Sequence, residues 1–164
     1  MSARDIIVVI VVFFALAIAF FAINYTYYEI SDRMINSSAF NESTQAQQAI
    51  ESGRTVANRT DYILFVVFMA MCFVIIITGW FVGGDPIFSF IYFIVIVLAV
   101  VVAAVLNNVW VGFTESSIFL VDGVLARFPI VDHMMSHLPL YAAIVGFLGL
   151  IAMFAKSSIT GESR

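Results

Sequence analysis

The sequence predicts an all-α integral membrane protein with four transmembrane helices. An extended extramembrane helical hairpin lies between spans one and two, and an interfacial amphipathic helix between spans three and four. Three observations lead to this. The 164-residue chain is 63% hydrophobic and only 11% charged, with a mean hydropathy of +1.07, far above the apolar share of a soluble domain. Its apolar residues fall into four runs, each near the ~20 residues that cross a bilayer core as a helix. Its polar residues are concentrated in a single long stretch after the first run.

The spans are expected at about 6–28, 62–82, 86–106 and 138–155, in one membrane domain covering 1–164. Arg4 precedes the first run and "ALA" at 15–17 resembles a cleavage site, but apolar sequence continues well beyond it. An uncleaved signal anchor is therefore expected.

The protruding hairpin is expected over 29–61. Ile30 and Met34 continue the phase of span one. After the turn-rich "NSSAFNES", small or apolar residues recur at Ala46, Ala49, Ile50, Gly53, Val56 and Ala57, the spacing of one helical face. The second arm would rise roughly 25 Å at 1.5 Å per residue, and its small residues would let the two arms approach closely.

Spans two and three are joined by "VGGDP", where glycines permit a tight turn and proline suits the first turn of the next helix. An antiparallel hairpin is expected there. Span three ends at "NNVW", where Trp110 suits the polar edge of a bilayer. The interfacial helix is expected over 114–128, with Ile118, Val121, Val124, Leu125 and Phe128 apolar and Glu115 in its first turn. Pro129 is expected to end or kink it before span four begins at Leu138.

Charge excludes some functions. The net charge is −4 and no cluster of lysines or arginines exists, so no nucleic-acid or anionic-lipid partner is expected through a basic patch. Arg4, Lys156 and Arg164 fall on one side of the membrane, against Arg33, Arg54, Arg59 and Arg127 on the other. That split leaves the orientation open under the positive-inside rule. None of the spans contains Asp, Glu, Lys, Arg or His, the groups that ion and proton pathways usually carry.

Candidate chemistry is sparse. His133 and His137, four residues apart with Asp132 beside the first, are the candidate metal ligands. A tight site needs three or four ligands, no other histidine exists, and Pro139 biases the residue before it away from helix. The expected reading is two imidazoles at headgroup level where the chain re-enters the membrane, with no metal and no cofactor. The single cysteine, Cys72, lies in span two and is expected to pack. No Ser/His/Asp set, phosphate loop or carboxylate pair is present, so no enzymatic activity is expected.

Every asparagine between residues 24 and 60 begins a glycosylation sequon: Asn24, Asn36, Asn41 and Asn58. Asn24 and Asn58 lie close to the membrane and in helix, so Asn36 and Asn41 are the candidate acceptors. The remaining signal is packing surface. Gly146, Gly149 and Ala152 recur at intervals of three in span four, while Ala99 and Ala103 offer small faces in span three.

The block "ARFPIVDHMMSHLPLYAAIVGFLGLIAMFAK" resembles the tail of small multi-spanning membrane proteins of marine and environmental viruses. Phe128, Pro129, Leu138, Pro139, Gly146, Phe147, Gly149 and Lys156 carry the likeness over about thirty residues. Val145 stands where the pattern has isoleucine, and the histidines replace asparagine or other polar residues. The resemblance implies a component of a membrane-containing virion, or a protein of the host membrane during infection. Its partners would then be the bilayer and other membrane or capsid proteins, in an oligomer or larger assembly.

A non-enzymatic structural membrane protein is thus the expected function. The alternatives are an accessory subunit of a multi-subunit membrane enzyme or respiratory-type complex and, third, a holin-like permeabilising protein, for which the lack of a polar pore face is a difficulty.

Overall fold

In the computed structural model, which describes residues 4–37, 42–82, 86–116 and 125–160, the protein is all-helical, with no strand among the described residues. Four helices are long and apolar enough to cross a membrane. They are α1 (Arg4–Ile35), α2 (Thr44–Val82), α3 (Pro86–Thr114) and α5 (Leu138–Thr160), with a short α4 (Pro129–Ser136) and a single 3-10 turn (Leu125–Arg127) between α3 and α5.

All three prolines of the chain sit in the first turn of a helix: Pro86 and Pro129 open α3 and α4, and Pro139 is the second residue of α5. Proline's fixed φ suits that position, and its missing N–H costs nothing where the first amides have no intrahelical acceptor. This changes the expectation at Pro129. Instead of ending a helix it begins one, and Val131, Met134, Met135 and Leu138 behind it, spaced as one helical face, are all at most 2% exposed.

The helices are longer than the apolar runs. α1 has 32 residues and α2 has 39, or about 48 and 58 Å at 1.5 Å per residue. Helix α3 continues through Asn107, Asn108 and Trp110 to Thr114, which ends this helix where the interfacial helix had been expected to begin. Residues 117–124, the centre of that expected helix, lie outside the described residues, as do Asn41 and the turn at 83–85.

Helices α1 and α5 each pack on both α2 and α3, whereas α2 and α3 scarcely touch one another. The expected hairpin of spans two and three is therefore held open, and the wedge is α5. Its glycines explain why. A methyl group added at Gly79 of α2 would lie 2.6 Å from the carbonyl oxygen of Gly149. One added at Gly146 would lie 2.8 Å from Ile96 of α3, and one at Gly149 would collide with the Tyr92 hydroxyl. Without Cβ atoms the α2 and α5 backbones meet at Gly79 and Gly149, while the side chains of Ile96 and Tyr92 from α3 fill the space beside Gly146 and Gly149, close packing of the kind that associates helices in lipid.

Helix α1 closes the other side. Phe13 meets Phe68 of α2 with ring centroids 4.6 Å apart. Phe21 lies edge-on to Trp110, Phe113 and Phe128, at 5.7, 5.7 and 5.6 Å. Edge-to-face packing suits the quadrupoles of these rings, and Phe13, Phe21, Trp110 and Phe128 are all essentially buried. Beyond the aromatic layer α1 and α2 stay in contact. The Tyr27 hydroxyl donates to the Ile50 carbonyl and lies directly over Gly53, while Arg54 pairs with Asp32. Of the small residues on this arm, Ala57 is buried, Ala46 and Gly53 are half-buried, and Ala49 is exposed.

Candidate functional site

Several polar residues of the bundle gather at one end, around α4. This helix has only eight residues, too few to be stable alone, and its first residue and the residue before it supply no side-chain cap. The missing acceptors come from another helix. Asp61 of α2, 3% exposed, accepts the Ile130 N–H through Oδ2 at 3.0 Å and the Val131 N–H through Oδ1 at 2.8 Å. Pro129 has no N–H, and the Asp132 N–H donates to the Phe128 carbonyl at 3.0 Å. The first turn of α4 is thereby fully satisfied, and the positive end of its dipole faces a carboxylate.

The other end of α4 is held by α3. Asn107 Nδ2 donates to the carbonyls of Met135 at 2.9 Å and Ser136 at 2.5 Å. Between the two ends, Trp110 Nε1 donates to Asp132 Oδ1 at 3.0 Å. Asp61, Asn107 and Trp110 are thus three side chains from two long helices that fix one short one. Sequence reasoning placed Asn107 and Trp110 at a polar edge without this role, and gave Asp61 none.

A second cluster ties α1 to α2 and to the 3-10 turn. The guanidinium of Arg127 lies 3.9 Å above the Tyr28 ring, within the range of a strong cation–π contact, and that of Arg54 lies 5.9 Å from it. The Tyr28 hydroxyl donates to Asn58 Oδ1. Arg54 donates to Ser31 Oγ through two nitrogens, at 3.0 and 2.9 Å, and ion-pairs with Asp32.

His133 lies on α4 and His137 is its C-terminal cap residue. Both are exposed, their ring centroids are 4.3 Å apart, and His137 Nδ1 lies 2.9 Å from the His133 carbonyl oxygen. The bias from Pro139 falls on Leu138 and leaves the pair aligned. Asp132, the candidate oxygen ligand beside them, is bonded to Trp110. No group of three or more His, Cys, Asp or Glu able to hold a metal ion occurs among the described residues.

The other singled-out residues are dispersed. Ala99 and Ala103 are fully buried in α3, Gly146 and Gly149 are buried in α5, and Ala152 is half-buried. Cys72 lines an apolar cleft between α1, α2 and α5, with Ile6, Phe13, Phe68, Leu138 and Tyr141. Asn36 is exposed just after α1, whereas Asn24 is buried and donates to the Phe20 carbonyl at 2.8 Å. The polar cluster can hold helices in register. Its carboxylates and amides are engaged by protein groups, and it offers no nucleophile paired with a base.

No family model matches the chain, and neither a curated protein nor a solved structure is detectably similar to it.

Proposed function

We propose that the protein is a non-enzymatic structural component of a lipid membrane that binds protein partners. The observation that carries this reading is how its polar groups are used. Asp61, Asn107, Trp110 and Asp132 bond to one another's helices at one end of the bundle, and the long outward faces present Phe65, Phe73, Phe81, Phe90, Phe93 and Phe147. Such a surface suits lipid or the spans of a neighbouring protein equally well.

In this reading the ends of α1 and α2 stand clear of the bilayer as a helical hairpin, since 32 and 39 residues exceed the ~20 that a bilayer core requires. Helix α4 lies at headgroup level at the same end, with Trp110 beneath it. Partners engage the hairpin and the exposed apolar faces, because Ala99, Ala103, Gly146 and Gly149 are buried within the bundle. The resemblance of the C-terminal block to viral membrane proteins favours a virion membrane, or the host membrane during infection, as the setting.

The test is gentle solubilisation from the native source, followed by mass spectrometry of everything that copurifies. Capsid or other virion proteins are the expected companions. Redox or other enzyme subunits at fixed stoichiometry would replace this reading with that of an accessory subunit.

A further inference from the structure

We propose that His133 and His137 form a two-imidazole chelate for one borderline divalent transition-metal ion, of the Zn2+, Ni2+ or Cu2+ class, on the outer face of α4. Both rings are exposed, and they sit at i and i+4 on one side of the last turn of the helix. Two imidazoles sharing an ion at a Zn–N distance of about 2.0–2.1 Å have ring centroids roughly 4.5–5.2 Å apart, for ligand angles from about 90° to the tetrahedral value. The observed spacing is 4.3 Å with a 33° tilt, so the exposed rings would have to part and turn slightly to share an ion.

The second observation concerns the tautomer. A carbonyl oxygen only accepts, so the 2.9 Å contact between His137 Nδ1 and the His133 carbonyl places the proton on Nδ1 and leaves the Nε2 lone pair as the ligand. Metal-ligating histidines characteristically donate their other ring N–H in this way, to a carbonyl or carboxylate, which fixes the ring and raises its basicity. The support is already in place in the protein alone.

The chelate is open. Asp132 is held by Trp110 on the buried side, so water or a group from another molecule completes the coordination. Imidazole ligands select the borderline ions over Mg2+ and Ca2+, which take oxygen. The ion would bridge the body of α4 and its terminal cap residue, and so stiffen the corner from which α5 starts.

The test uses the full chain in detergent, purified with a tag that contains no histidine, in a Trp80→Phe background that leaves Trp110 as the sole tryptophan. Cu2+ bound at His133 would quench Trp110, whose indole is bonded to the adjacent Asp132. Saturable quenching at one ion per chain is expected, competed by Zn2+ and Ni2+ but not by Mg2+. His133→Gln or His137→Gln should weaken binding at least tenfold, with unchanged Trp110 emission in the absence of metal, and the double variant should abolish it. Asp132→Asn should leave the affinity unchanged. Non-saturable quenching, binding that survives in the double variant, or loss of binding in Asp132→Asn would each overturn the assignment.

Discussion

The carboxylate of Asp61 and the backbone amide of Val131, 70 residues apart in the chain, are joined by a 2.8 Å hydrogen bond in the interior of the protein. Together with the bond to Ile130 it makes a residue of one helix the N-terminal cap of another. Asp61→Ala removes both acceptors and leaves two amides unsatisfied, one of them buried. A loss of about 2–4 kcal/mol is expected, in line with charge-assisted bonds and unmet buried donors. Asp61→Asn retains one acceptor oxygen and should lose roughly half as much. Hydrogen exchange at Ile130 and Val131 provides the check: protection that survives in Asp61→Ala would disprove the cap.

Glycines at the crossing of α2 and α5 should respond according to what lies opposite them. Gly79→Ala meets the Gly149 backbone, which cannot swing aside, and should cost about 1–3 kcal/mol. Gly112 has open space where a Cβ would go. Gly112→Ala should be neutral or stabilising by up to about 1 kcal/mol, the difference in helix propensity. Thermal unfolding of the two variants in the same detergent should separate them in opposite directions.

Tyr92 and Gly149 should behave as a coupled pair. The buried Tyr92 hydroxyl has no hydrogen-bond partner among the described residues, and it occupies the place of a Gly149 side chain. Gly149→Ala alone should destabilise, and Tyr92→Phe should be harmless because it removes an unmet polar group. In the double variant most of the Gly149→Ala loss should be recovered. Additive losses in a double-mutant cycle would contradict the contact.

The cation–π contact between Arg127 and Tyr28 should be worth about 0.5–2 kcal/mol. Arg127→Gln should show this loss in unfolding experiments, while Tyr28→Phe, which keeps the ring, should retain the contact and lose only the hydroxyl's bonds to Asn58 and the Arg54 carbonyl. Equal losses in Arg127→Gln and in Arg127→Gln/Tyr28→Ala relative to Tyr28→Ala would show that the two groups are not coupled.

The sequons give a readout of sidedness. In a glycosylating membrane preparation that places the α1–α2 turn in the lumen, Asn36 should acquire a glycan, because it is exposed beyond the end of α1. Asn24, buried and bonded to Phe20, should stay bare. A glycan on Asn24 would be incompatible with the packing of α1.

How much of this was legible in the sequence depended on the range of the interaction. The four spans could be read because hydrophobicity is a property of each segment by itself. The lengthening of α1 and α2 could be read from periodicity, with Gly53 and Ala57 falling on the inner face. Helix α4 was readable in principle: Pro129 at its start and the spacing of Val131, Met134, Met135 and Leu138 form a helix-start pattern. Proline also ends helices, so Pro129 alone does not say which of the two it does. The neighbours of α5 were not legible. Gly146 and Gly149 announce a close approach but do not say to which helix, and the tight loop between spans two and three suggested that those two would pair. Asp61 carried no local signal, since its partners are amides that any residue at 130 and 131 would supply.

The placement of α5 between α2 and α3 has a consequence for biosynthesis. The chain emerges from its N-terminus, so α1, α2 and α3 enter the membrane before the span that separates two of them exists. Until α5 arrives, Gly79 and Tyr92 border a gap that only lipid can fill, and Asp61 waits for amides that have not yet been synthesised. The last quarter of the chain thus closes both the wedge and the cap, and a protein truncated after Thr114 should insert normally yet remain unassembled, exposed to membrane proteases that the complete bundle resists.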